Sequence, residues 1–143
     1  MHDLGIRVGD ATRFSKTVGE TDIYLFAGIT GDLSPNHVNE QAMQATSFGG
    51  RIAHGALLIG YISTCSTKMA EKAATNGAVG VPLSLGFDKI RFLKPVRLGD
   101  TVTIDYSIAA IDEERRRAQA AVTVTNQSGE LVAVADHILK WSE

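Results

Sequence analysis

The chain has 143 residues, of which 44% are apolar and 21% charged, ordinary values for a soluble globular protein and far from those of a disordered chain. Its formal net charge of −2 gives no general attraction to nucleic acid or to an anionic membrane, so any phosphate-bearing ligand must be held by local cations. A chain of this length can bury a core without disulfides or metals, and one domain over residues 1–143 is expected.

The single cysteine, Cys65, has no intrachain partner, which fits a reducing compartment. No basic segment followed by an apolar run opens the chain at Met1-His2-Asp3-Leu4-Gly5, and no stretch is long enough to span a bilayer. A cytoplasmic protein is expected.

Residues 11–18 mix β-branched and aromatic side chains with partial alternation and predict a short strand. Thr21 or Asp22 can cap the helix that follows, which carries Ile23, Phe26 and Ala27 at helical spacing and must stop near Gly31. Asp32-Leu33-Ser34-Pro35-Asn36 is turn chemistry, because the proline fixes its own φ and pushes Ser34 out of the α region. Asn39 then caps a short helical piece ending near Thr46, with Ala42, Met43 and Ala45 on its buried side.

After Gly49-Gly50, the stretch from Ala53 to Ala74 contains no proline and is apolar nearly all round in its first half, which predicts a long enclosed helix. Gly60 in its interior suggests close approach of another backbone, and Asn76-Gly77 gives a left-handed stop. The rest reads as strands. Val81, Leu83, Leu85 and Phe87 alternate on odd positions, then Ile90 and Phe92 on even ones, so the phase slips near Asp88-Lys89 and predicts a bulge. Clean alternation recurs at Val102 to Ile108 and Ala118 to Val124, with a turn at Asn126 to Gly129 leading into Leu131 to Leu139. One long helix followed by hairpin-linked strands indicates an α+β fold, an antiparallel sheet covering a central helix.

Two groups of residues can carry chemistry. Asp32 and His37 flank the proline turn: an imidazole can take a proton from water and a neighbouring carboxylate can orient that water, a pair suited to adding or eliminating water. The same residues can also do no more than cap the turn and start a helix. His54-Gly55 stands where the long helix begins, and there the Gly55 amide can stabilise a developing oxyanion. His54 can meet the substrate beside it, but Gly55 can equally be a packing glycine and His54 a polar cap with no ligand. Ser63, two turns further on, can face the same pocket or bond its own backbone.

The spacing of His37 and His54 does not support a metal site, and phosphate loops and dinucleotide fingerprints are absent. Lys89, Arg91, Lys94 and Arg97 cluster around Pro95, with Arg51 before the long helix; they can meet the phosphates of a nucleotide-bearing ligand or remain solvated edges. Glu113 to Arg117 reads as a hairpin tip.

With these residues in hand, the sequence resembles the MaoC-like dehydratase family, which includes the (R)-specific enoyl-CoA hydratases. The resemblance is carried by Phe26 to Thr30, Gly31-Asp32-Leu33-Ser34-Pro35-Asn36-His37, and the later His54-Gly55. Ser34 replaces a usual asparagine and Asn36 a usual aliphatic residue, the second of which alters the polarity of the pocket mouth. The resemblance implies a hot-dog fold, a homodimer or dimer-based oligomer, and reversible hydration of trans-2-enoyl-CoA to (R)-3-hydroxyacyl-CoA without a cofactor. It also implies that Asp32 and His37 form the catalytic pair, that the Gly55 amide helps hold the thioester oxygen, and that Ser63 lies close by. Two other readings remain at this point, a hot-dog thioesterase and a non-catalytic acyl-thioester binding subunit.

Overall fold

Alternating apolar residues on three adjacent strands make a wall that one helix fills. The computed structural model describes residues 3–143. In chain order the elements are β1 (Ala11–Thr17), α1 (Glu20–Thr30), α2 (Pro35–Val38), α3 (Glu40–Gln44), α4 (Gly55–Thr75), β2 (Pro82–Phe92), β3 (Thr101–Asp112), β4 (Arg117–Thr125) and β5 (Leu131–Trp141). The strands form one antiparallel sheet in the order β1-β3-β4-β5-β2. This is the hot-dog arrangement, an α+β fold whose curved sheet wraps α4.

The core is the contact between α4 and one face of that sheet. Leu57, Leu58, Tyr61, Ile62, Cys65, Met69 and Ala73 on the helix meet Val102, Ile104, Tyr106 and Ile108 of β3, Ala118, Ala120, Val122 and Val124 of β4, and Ala135 and Leu139 of β5. Full burial of an Ile62- or Met69-sized side chain contributes roughly 2 kcal/mol, so this helix-to-sheet seam sets the geometry of everything attached to the helix ends.

Four expectations change in detail. The long helix begins at Gly55, not Ala53, because Ile52 bridges Arg97 and the Ala53 amide bonds the Val96 carbonyl at 2.7 Å, which holds residues 52–54 extended. Helix α1 starts at the Gly19 cap; Asp22 closes the start from inside by accepting the Gly19 amide at 2.8 Å. Of the three residues assigned to the inner side of α3, only Met43 is buried.

Gly60 lies on an exposed face of α4, and among the described residues no atom would come within 4 Å of a β-carbon there. The enclosure expected around the helix is therefore one-sided: the sheet covers one face, while Ala56, Gly60, Ser63 and Thr67 line the open one. The bulge in β2 is where alternation places it, between Asp88 and Arg91, with Lys89 at φ 52°, and a second irregularity falls between Ser84 and Gly86. Among the described residues edge strand β2 has no neighbour on its outer side, and it exposes Leu83, Leu85 and Phe92.

Candidate active site

The site is assembled where the turn after α1 meets the start of α4. Helix α1 ends because Gly31 turns left-handed at φ 80° while its amide still bonds the Ala27 carbonyl. Thr30 Oγ1 donates to the Phe26 carbonyl at 2.6 Å and accepts the Asp32 amide at 3.3 Å. One Asp32 carboxylate oxygen, Oδ1, accepts the Ser34 amide at 3.3 Å, and Pro35 opens the four-residue α2. The turn-capping reading of Asp32 is correct, and Oδ2 remains for other use.

His37 sits on α2, half-buried, with its Nδ1 2.7 Å from the Ile52 carbonyl oxygen. A carbonyl only accepts, so Nδ1 carries a proton, and the neutral ring then has its lone pair on Nε2, the form a general base needs. The Ile52 amide in turn bonds the Asn36 carbonyl at 3.0 Å, fastening the α2 turn to the extended segment that leads into α4.

That segment delivers His54 to the cap position of α4. The His54 side chain does not cap the helix; its Nε2 lies 3.0 Å from the Asp32 backbone carbonyl, and the ring is only 2% exposed. The His37 and His54 rings stack with centroids 3.7 Å apart and 26° between planes, and Phe26 lies against His54 at 4.7 Å. Ligand-capable atoms of Asp32, His37 and His54 fall within 4.8 Å of one another. Tertiary contact thus supplies the companions that linear spacing withheld. Stacked rings aim their lone pairs along nearly parallel planes, however, whereas ligands of one tetrahedral ion converge at about 109°. The donor set is poorly arranged for a metal.

Beside the imidazoles is a cleft of about 300 Å³ whose wall includes His37, His54, Gly55, Leu58, Phe92 and Lys94. Its wall includes the start of α4, where the first-turn amides have no intrahelical acceptor and the helix dipole is positive. Gly55 is also a packing glycine: a β-carbon there would lie 2.9 Å from the Phe92 ring. Asp32 is exposed, within 4.8 Å of the imidazoles but not among the residues of the cleft wall.

The other expected residues are dispersed. Ser63 lines a separate cleft of about 450 Å³ between α4 and β2, with Ser66, Thr67 and Ser84. Arg51 is engaged within the protein: its side chain is buried, its Nε bonds Glu40 at 3.0 Å, and its Nη atoms meet Glu20 and Tyr24. Two carboxylates and a phenol hydroxyl thus take three of its five N–H donors. Lys94 lines the cleft and pairs with Glu130; Arg97 donates to the Phe48 carbonyl; Arg91 donates to the Ile90 carbonyl at 2.7 Å; Lys89 is exposed at the bulge.

Sequence reading missed a second buried imidazole, His137 on β5, which lies 2.7 Å from Tyr106 Oη and 2.7 Å from Ser84 Oγ. Its signal was a polar residue at a core-facing position of an alternating strand. Burial pushes it down to about 4. Tyr106 is fully buried, so its hydroxyl must donate to Nδ1 or be left with an unpaired hydrogen. Nε2 of His137 is then protonated and donates to Ser84, so it cannot act as a base on that serine.

Comparison with known proteins follows the same lines. The family described as MaoC like domain matches residues 6–130. An (R)-specific enoyl-CoA hydratase of Rhodospirillum rubrum is 39% identical over 120 residues, 84% of this chain and 78% of that protein. A 3-hydroxybutyryl-CoA dehydratase of Methylorubrum extorquens is 36% identical over 118 residues, 82% of this chain and 70% of that one. The solved structure of an (R)-hydratase from A. caviae superposes with a TM-score of 0.82 at 26% identity, covering 96% of this chain and 98% of that one.

Proposed function

The chain belongs to the MaoC-like dehydratase family, and on that premise we propose that it is a hydro-lyase adding water reversibly to trans-2-enoyl-CoA thioesters to give (R)-3-hydroxyacyl-CoA. The observation that carries this reading is the imidazole of His37, held at Nδ1 by the Ile52 carbonyl, within 4.8 Å of the Asp32 carboxylate and beside the start of α4.

In the hydration direction, Asp32 holds a water at the cleft mouth and His37 Nε2 takes its proton as the oxygen bonds to C3. The C2–C3 π pair moves toward the thioester carbonyl, and the charge that develops on oxygen falls near the Gly55 amide. A fixed donor at that place typically lowers the barrier by about 3 kcal/mol. The proton taken from water ends on C2, with Asp32 assisting, so the sum is addition of one water. No electrons enter or leave, and no cofactor is needed. Dehydration runs through the same groups.

Lys94 on the cleft wall, with Lys89, Arg91 and Arg97 nearby in the chain, is the source of positive charge for the coenzyme A phosphates. A homodimer joined along β2 is supported by the unpaired edge and its exposed Leu83 and Leu85. Among the described residues no helix is long and apolar enough to cross a membrane, and the free, buried Cys65 suits a cytoplasmic site of action.

The test is direct. With crotonyl-CoA, the enone absorbance falls on adding the wild-type protein, and Asp32→Asn and His37→Ala each abolish the fall while the protein stays folded. Full rate in either variant removes that residue from the mechanism. Release of free thiol, read with a thiol-reactive dye, would point to a thioesterase instead, and binding without turnover at any chain length to a non-catalytic subunit.

A further inference from the structure

We propose that His54 is a positioning residue for this reaction, tying the Asp32 backbone to the start of α4 through one ring nitrogen and backing His37 with one ring face. The inference rests on the hydratase reading and adds to it a residue that acts through both members of the catalytic pair.

Three observations converge on the ring. First, it occupies the cap position of a 21-residue helix yet makes no side-chain cap bond; its Nε2–H goes 3.0 Å to the Asp32 carbonyl instead. That bond crosses 22 positions of sequence and fastens the turn bearing the carboxylate to the helix bearing the oxyanion donor. Second, the ring lies 3.7 Å from His37 and nearly parallel to it. The Ile52 carbonyl at 2.7 Å sets where His37 lies in its own plane, and the His54 face sets how far the ring can tip out of it. Together the two contacts restrain Nε2 in the ring plane and against tipping toward His54. Third, Phe26 at 4.7 Å supports His54, so the support is itself held by α1.

His54 is 2% exposed, and its Nδ1 is buried without a hydrogen-bond partner among the described residues. An unpaired buried acceptor costs stability and so calls for an explanation. Here the ring serves by its opposite nitrogen and its face. His54 lies on the cleft wall with only 2% of its surface exposed, so its direct contact with substrate is small beside that of His37 and Gly55.

The experiment uses three variants of the full chain with crotonyl-CoA, each checked for folding by its urea midpoint. His54→Ala removes both contacts, His54→Phe keeps the flat face without the donor, and His54→Gln keeps an N–H donor without the face. Displacement of a catalytic group by about 1 Å costs on the order of 100-fold. That is the expected loss in kcat for His54→Ala, with each partial variant recovering to a loss of about ten-fold. KM stays within about three-fold throughout, because ground-state binding is not what the ring provides.

A role confined to stability moves the urea midpoint and leaves kcat of the folded protein unchanged; that result overturns the proposal, as does a rise in KM alone. Should His54→Ala not fold, His54→Phe and His54→Gln carry the same comparison. Wild-type turnover with insensitive variants defeats this inference only, whereas a wild type without turnover defeats the hydratase reading and this one with it.

Discussion

The Phe92 ring lies so close to Gly55 that a β-carbon on the glycine would stand 2.9 Å from ring carbons Cε2 and Cζ. The two residues come from the end of the edge strand and the start of the central helix, and they meet on the wall of the cleft beside His37. Phe92 is 53% exposed, so it has room to move when pushed.

Gly55→Ala is therefore expected to displace the ring rather than unfold the protein. Overpacking typically costs about 1–3 kcal/mol. If that strain falls on the arrangement at the helix start, kcat/KM for crotonyl-CoA drops about ten-fold or more. Adding Phe92→Ala should return most of the loss. An unchanged rate in the single variant would show that the ring and the oxyanion donor are independent.

Arg51 makes a different prediction from the one its position in the sequence suggests. It ties Glu20 of α1 and Glu40 of α3 and stacks over Tyr24 with 5.6 Å from its central carbon to the ring centroid. Removing it frees two helices from the segment leading into the site. Arg51→Met is expected to lower stability by about 2 kcal/mol, read as a fall in the urea midpoint, with KM for crotonyl-CoA unchanged. A large rise in KM without a change in stability would restore the phosphate-contact reading.

His137 gives stability a pH dependence whose sign follows from its burial. Its folded value is about 4 against an ordinary 6.5 for a solvated imidazole, so between those values the unfolded chain binds a proton that the folded chain refuses. Stability falls as pH falls through this window and levels off below about 4. The loss from pH 7 to pH 5 is roughly 2 kcal/mol. Asp10, Glu40 and Glu130 are held below the usual carboxylate range by hydrogen bonds from Lys72, Arg51 and Lys94 respectively, and their contributions are lost only at more acid pH. Urea midpoints of wild type and His137→Gln at pH 7 and pH 5 check this; equal slopes would show that His137 does not carry the effect.

The edge of β2 is the place to test assembly. Leu83 and Leu85 are 47% and 46% exposed on a strand with a free outer side. Leu85→Lys puts a charge on that edge, a common means of blocking strand pairing. Sedimentation should show a smaller species than wild type. No change in size would place any interface elsewhere.

The strands, the long helix, the bulge at Lys89 and the stop at Gly77 were readable because each depends on neighbours a few residues away. Period-2 and period-3.6 patterns, proline and left-handed glycine act locally, so the sequence by itself determined an antiparallel sheet over one helix with a stiff acidic turn ahead of it. It also determined that Asp32, His37 and the His54-Gly55 pair were the groups worth watching.

The tertiary structure decided what each of them does. Residues 32, 37 and 54 meet only because Ile52 and Ala53 pair with the segment around Val96 and Arg97, a contact between stretches more than 40 positions apart. The tautomer of His37 depends on a carbonyl 15 positions away. Arg51 and Ser63 show the same dependence: a cation in sequence looks free until its carboxylates are found, and a serine two turns along a helix faces whichever cleft the sheet leaves open. Hydrogen-bond geometry and burial are properties of pairs brought together by folding, and periodicity along one chain does not contain them.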